Sequence, residues 1–136
     1  NCMKSRNKWI VALGCLMGSV SPALSAKSLG EQLQSAMISN AASQIEMCFS
    51  DQTEISVMGV SVVCSSAQVV DVLSQFLGEN PIKNCVIMHS GKKSNAGFYI
   101  MTAVSVSQKR FRIYALERAE GDNNLIRQFR IDEVIE

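Results

Sequence analysis

The sequence predicts an α+β domain, because segments of helical period come first and a run of strand-like segments with turn chemistry follows. Two serine-led capping boxes mark helix starts, and four strand-like runs after Pro81 read as an antiparallel meander. Helices followed by a long meander fit a cone-shaped fold in which the helices cover one face of a curved sheet.

The chain opens with a three-part leader. Lys4, Arg6 and Lys8 form a basic start, Trp9 to Val20 an apolar run, and Ser21-Pro22-Ala23-Leu24-Ser25-Ala26 a small-residue exit. That is the build of a secretory signal peptide, expected over residues 1–26, with initiation at Met3 and cleavage after Ser25 or Ala26. The apolar run is interrupted by Gly14, Gly18 and Ser19 and is too short for a membrane anchor, which needs roughly 20 apolar residues. Ala12-Leu13-Gly14-Cys15 is a poor lipobox, since the apolar run continues past the cysteine. Residues 27–136 then form one exported domain, periplasmic or secreted.

In the domain, Ser28-Leu29-Gly30-Glu31 opens a helix with Leu29, Leu33, Ala36, Met37, Asn40 and Ala41 at helical spacing. A break near Asn40 to Ser43 and a continuation through Ile45 to Phe49 are expected. From Thr53 the period changes, and Glu54 to Val57 and Val60 to Val63 flank Met58-Gly59 as a hairpin. Ser65-Ser66-Ala67-Gln68 opens a second helix that buries Val69, Val70, Leu73, Phe76 and Leu77 and stops at Gly78, Asn80 and Pro81. The meander strands are Asn84 to His89, Phe98 to Val106, Arg110 to Glu117 and Leu125 to Ile131, with turns at Gly91 to Gly97, Ser107 to Lys109 and Glu120 to Asn124.

Several of these segments carry a resemblance. Ala67-Gln68-Val69-Val70, Phe76-Leu77, Asn80-Pro81, His89-Ser90-Gly91-Lys92-Lys93, Phe111-Arg112-Ile113-Tyr114 and Ile126-Arg127-Gln128-Phe129-Arg130-Ile131 resemble a family of small exported Bacteroidetes proteins. That family has a nuclear-transport-factor-2-like (cystatin-like) fold and is known as a domain of unknown function. The resemblance implies a helix-covered, curved antiparallel sheet, export, and dimerisation sheet to sheet. It supplies no catalytic residues.

Charge limits the partners. The net charge is +1, and the leader holds three bases and no acid, so the domain sits near −2. Lys27 to Ile82 has one base against six acids, and Lys83 to Glu136 nine bases against six acids. This balance argues against nucleic acid as a general partner. Lys109, Arg110, Arg112, Arg127 and Arg130, with Lys92 and Lys93, are the candidate binding residues, either as a stripe for an acidic partner or as a solvated sheet face. Gly91-Lys92-Lys93-Ser94 lacks the upstream glycine and following helix of a phosphate loop.

No cofactor or metal is called for: there is one histidine, and the domain's three cysteines, Cys48, Cys64 and Cys85, include no CxxC pair. They read as buried thiols among apolar neighbours, with one disulfide and a spare thiol as the alternative. The candidate acid/base groups are His89, Glu46, Tyr99 and Tyr114. His89 is expected on a strand end, on the face of Cys85 and Ile87, serving a pocket enzyme of isomerase or hydrolase type as base or tying down the Gly91 turn. Glu46 lies among Ile45, Met47 and Phe49, where it is either a buried base or an exposed helix-face carboxylate, with the tyrosines as partners. Asp51 and Asp71 read as surface groups. The Phe98 to Val106 strand is apolar on both faces, with Phe98, Ile100, Val104 and Val106 pointing one way and Tyr99, Met101 and Ala103 the other. A homodimer that covers the second face is the expectation, and the function expected is a binding or self-association module.

Overall fold

The computed structural model describes residues 27–135; the leader, with Cys15 and both cleavage positions, lies outside them. The elements run α1 (Leu29–Ser39), a 3-10 segment (Ala42–Cys48), β1 (Phe49–Val57), β2 (Val60–Cys64), α2 (Ser66–Glu79), β3 (Ile82–Lys93), β4 (Ala96–Ser105), β5 (Arg110–Glu120) and β6 (Asn123–Glu133). Helices on one face of a single six-stranded sheet make an α+β fold.

Both helices start where their caps dictate. Ser28 Oγ accepts from the Glu31 amide at 3.1 Å, and the Ser28 amide donates to Glu31 Oε1 at 3.0 Å; Ser65 and Gln68 repeat the exchange at α2. α1 ends at Asn40, whose φ of 54° is left-handed, so the chain turns into the 3-10 segment at the expected break. α2 buries Val69, Val70, Leu73, Phe76 and Leu77, and Phe76 meets Phe111 of β5 edge to face at 5.1 Å. α1 is tied to β3 by Gln34 Nε2, which donates to the Cys85 carbonyl at 2.7 Å.

The sheet order is β2-β1-β6-β5-β4-β3. Every neighbouring pair is antiparallel except β1 and β6, which are parallel. The expected antiparallel meander is present as β3 to β6, and the parallel β1–β6 pair makes the sheet as a whole a mixed one. β2 and β3 run the same way at opposite edges, joined across the helix layer by α2. Three reversals along the meander then bring β6 beside β1 pointing in the same direction.

The meander strands are longer than their apolar cores, and two expectations change as a result. His89, Ser90 and Gly91 do not form a turn but pair with Ile100, Tyr99 and Phe98, and the β3–β4 turn is only Ser94-Asn95. Gly91 is a strand glycine: a Cβ there would overlap the Phe98 ring that lies across it. A register shift between Ile87 and His89 adds one residue on β3, and this bulge turns His89 to the face opposite Cys85 and Ile87. Asp51 lies exposed on β1, and its carboxylate accepts from the Ser66 hydroxyl at 2.9 Å at the start of α2. Cys48 and Cys85 are buried, Cys64 is half-buried on β2, and all three thiols are free.

Candidate functional site

The helix-covered face of the sheet is mainly apolar, with the buried hydroxyls of Thr53 and Ser105 among its exceptions and a buried carboxylate at one end. Along β5 the inward positions are Phe111, Ile113 and Ala115, and the next is Glu117, only 1% exposed. Its acceptors are filled from three strands. The Tyr99 hydroxyl donates to Oε1 at 2.6 Å, Asn124 Nδ2 donates to Oε2 at 2.6 Å, and Lys92 Nζ lies 3.5 Å from Oε2. Gly97, paired with Glu117 on β4, leaves the carboxylate room, since a Cβ there would sit 3.1 Å from its Cγ and Cδ. The network reaches α1 through packing: Gly30 lies against the Tyr99 ring so closely that a Cβ there would overlap it, and the nearby Ser28 and Gly30 polar groups partly offset the rise in the Tyr99 pKa.

The electrostatics follow from these contacts. Burial opposes charge on Glu117, but the Tyr99 hydroxyl, the Asn124 amide and the Lys92 ammonium outweigh it and hold the carboxyl below its usual range. Burial, reinforced by the neighbouring carboxylate, pushes the Tyr99 phenol up to about 12. Tyr99 is thus a fixed donor and Glu117 a fixed anion with both oxygens engaged. That arrangement locks the N-terminus of α1 to the sheet; a general base would need a free lone pair facing a substrate.

The structure scatters the acid/base groups the sequence singles out. Tyr99 is on the helix side of the sheet. Tyr114 is on the outer side, opposite Ile100 and Arg130, and His89 is exposed on that same outer side. Glu46 is exposed in the 3-10 segment, so the buried-base alternative is corrected. It sits at the rim of an open cleft of about 820 Å³, together with Asp51, Ser66, Glu120 and Arg127. Neither Tyr99 nor Tyr114 lines that cleft.

The basic residues divide four ways. Lys92 reaches inward to Glu117, whereas Lys93 is exposed at the hairpin end. A register shift between Leu116 and Glu117 sends Arg127 to the cleft, where it pairs with Glu120 at 3.3 Å. Arg110, Arg112 and Arg130 stay on the outer face, with Arg130 Nε 2.8 Å from Asp132. Between them lies a half-buried apolar band of cross-strand pairs, Phe98 with Leu116 and Ile100 with Tyr114. Exposed Val86 and Met88 on β3 continue it.

Among the described residues the helices pack on one face of a curved, unclosed sheet and the other face is uncovered, an α+β fold of the nuclear-transport-factor-2-like class. Within that class the chain belongs to the family DUF4783, a domain of unknown function, whose model matches residues 31–132. It is similar in structure to a DUF4783 family protein from Bacteroides uniformis (TM-score 0.75, 18% identity, covering 80% of this chain and 100% of that one). A second, from Bacteroides ovatus, gives a TM-score of 0.71 at 20% identity over 76% of this chain and 94% of that one. An NTF2-like protein of unknown function from Shewanella baltica gives 0.60 at 10% identity over 79% and 90%. A search of the curated proteins finds no match.

Proposed function

We propose that this chain is an exported module that binds and self-associates rather than catalyses, and that it does so through the outer face of its sheet as a homodimer. The observation that carries this reading is the apolar band on that face. Phe98 with Leu116 and Ile100 with Tyr114 form adjacent cross-strand pairs, and among the described residues no helix lies over them. Leader-like residues 1–26 support export. A two-fold axis through the band would set each copy's apolar pairs against the other's, with Arg110, Arg112 and Arg130 at the rim.

Native mass spectrometry of the chain recovered from an export-competent host tests both parts, since one spectrum reports leader loss and oligomeric state. The expected result is a processed dimer that Ile100→Asp converts to monomer without loss of fold. A monomeric parent chain, or a dimer indifferent to Ile100→Asp, would remove the outer face from the proposal.

A further inference from the structure

The two edges of the sheet are built differently. β3, at one edge, carries Lys83, Lys92 and Lys93 and a bulge at its middle, and Pro81 precedes it. Charges, bulges and prolines are how edge strands avoid pairing with other chains. β2, at the other edge, reads Val60-Ser61-Val62-Val63-Cys64, with no charge, no proline and a regular register against β1. Val60, Val62 and Val63 are 73%, 49% and 65% exposed. Beside this edge opens a cleft of about 530 Å³ lined in part by Met58, Val60 and Val72.

We propose that β2 is a docking edge for β2 of a second copy of this chain, paired antiparallel about a two-fold axis at Val62. The register follows from the hairpin. Met58 and Gly59 both have positive φ, 52° and 86°, as in the primed two-residue turns. Such a turn is closed by a hydrogen-bonded pair, here Val57 with Val60, and pairs alternate from there. Val60, Val62 and Cys64 therefore direct their backbone groups at β1, and Ser61 and Val63 direct theirs outward. An axis at Val62 sets Ser61 of each copy against Val63 of the other, which joins all the outward groups of these two pairs in four hydrogen bonds. The same axis places Val62 on its own equivalent and Val60 on Cys64, apolar against apolar. No like charges are opposed in the pairing, because β2 has none. This edge is distinct from the outer face and does not depend on it.

Two measurements test the pairing. Val62 meets its equivalent as a non-hydrogen-bonded pair, a separation a disulfide can bridge. In the chain with Cys64→Ser, Val62→Cys should therefore form an intermolecular disulfide on mild oxidation. With Ile100→Asp added to remove the outer-face contact that Val86 borders, Val86→Cys on the guarded edge should do so at least about tenfold less, and the Val62→Cys cross-link should stay intact. Hydrogen exchange of the unsubstituted chain needs no substitution to fold: the Ser61 and Val63 amides should gain about tenfold protection or more between dilute and concentrated protein. Amides of α1, away from both proposed contacts, should not change. Equal cross-linking at the two edges, or exchange at Ser61 and Val63 that is independent of concentration, overturns the proposal. Concentration-independent protection there would assign the edge to another segment or partner.

Discussion

Glu117 gathers the most consequence into one side chain. It is buried, anionic and shared by β3, β4, β5 and β6, so removing a partner strands a charge. Tyr99→Phe deletes the 2.6 Å donor and should cost about 1–3 kcal/mol in denaturant unfolding. Because the folded carboxyl titrates below its ordinary value, its contribution is present above the unfolded carboxyl range, near pH 4.3, and is lost as pH falls through the lower folded value. Tyr99 runs the other way: its raised value means stability is held below about pH 10 and lost as pH rises toward about 12. Stability measured against pH should thus fall on both flanks, and Glu117→Gln should flatten the acid flank. An acid limb identical in Glu117→Gln would contradict the assignment. The inward position of Glu117 was legible, since it continues the alternation of Phe111, Ile113 and Ala115. Its partners were not, because Lys92, Tyr99 and Asn124 come together only once strands far apart in sequence pair.

At the scale of elements, caps and periodicity located both helices, and the hairpin was plain from Met58-Gly59. Strand ends were not, since they are polar and are held by their neighbours: β3 runs to Lys93 because Phe98 packs over Gly91. The parallel β1–β6 pairing was hidden for the same reason, as it joins the first strand to the last. Where elements meet, glycine sets the distance. A Cβ on Gly30 of α1 would overlap the Tyr99 ring, so Gly30→Ala should force helix or ring aside and cost about 1–3 kcal/mol, read as a lowered unfolding midpoint. Gly78 of α2 has nothing within 4 Å of a built Cβ, and Gly78→Ala should leave stability unchanged or raise it by up to about 1 kcal/mol. Equal losses at the two sites would mean that the close packing of α1 on Tyr99 is not what Gly30 provides.

For the whole molecule, the two proposed contacts differ in their physics, and salt separates them. A two-fold contact through the outer face brings Arg110, Arg112, Arg118 and Arg130 of one copy toward those of the other, against Glu54 and Asp132 as the acids of that face. The apolar band must therefore work against a basic rim. Screening shortens from roughly 8 Å at physiological salt to about 3 Å at 1 M, so association through this face should tighten as salt is added. The β2 edge has no charged side chain, and its pairing rests on backbone hydrogen bonds and valine contacts, so the Val62→Cys cross-link should barely respond over the same range. Sedimentation of the Ile100→Asp and Val62→Lys variants against salt assigns each contact: the salt-strengthened component should vanish with Ile100→Asp, and the salt-indifferent one with Val62→Lys. If salt weakened the outer-face contact, its arginines would be meeting carboxylates across the interface. The axis would then have to lie nearer β1, where Glu54 could face the partner's arginines, and away from the centre of the Ile100–Tyr114 band.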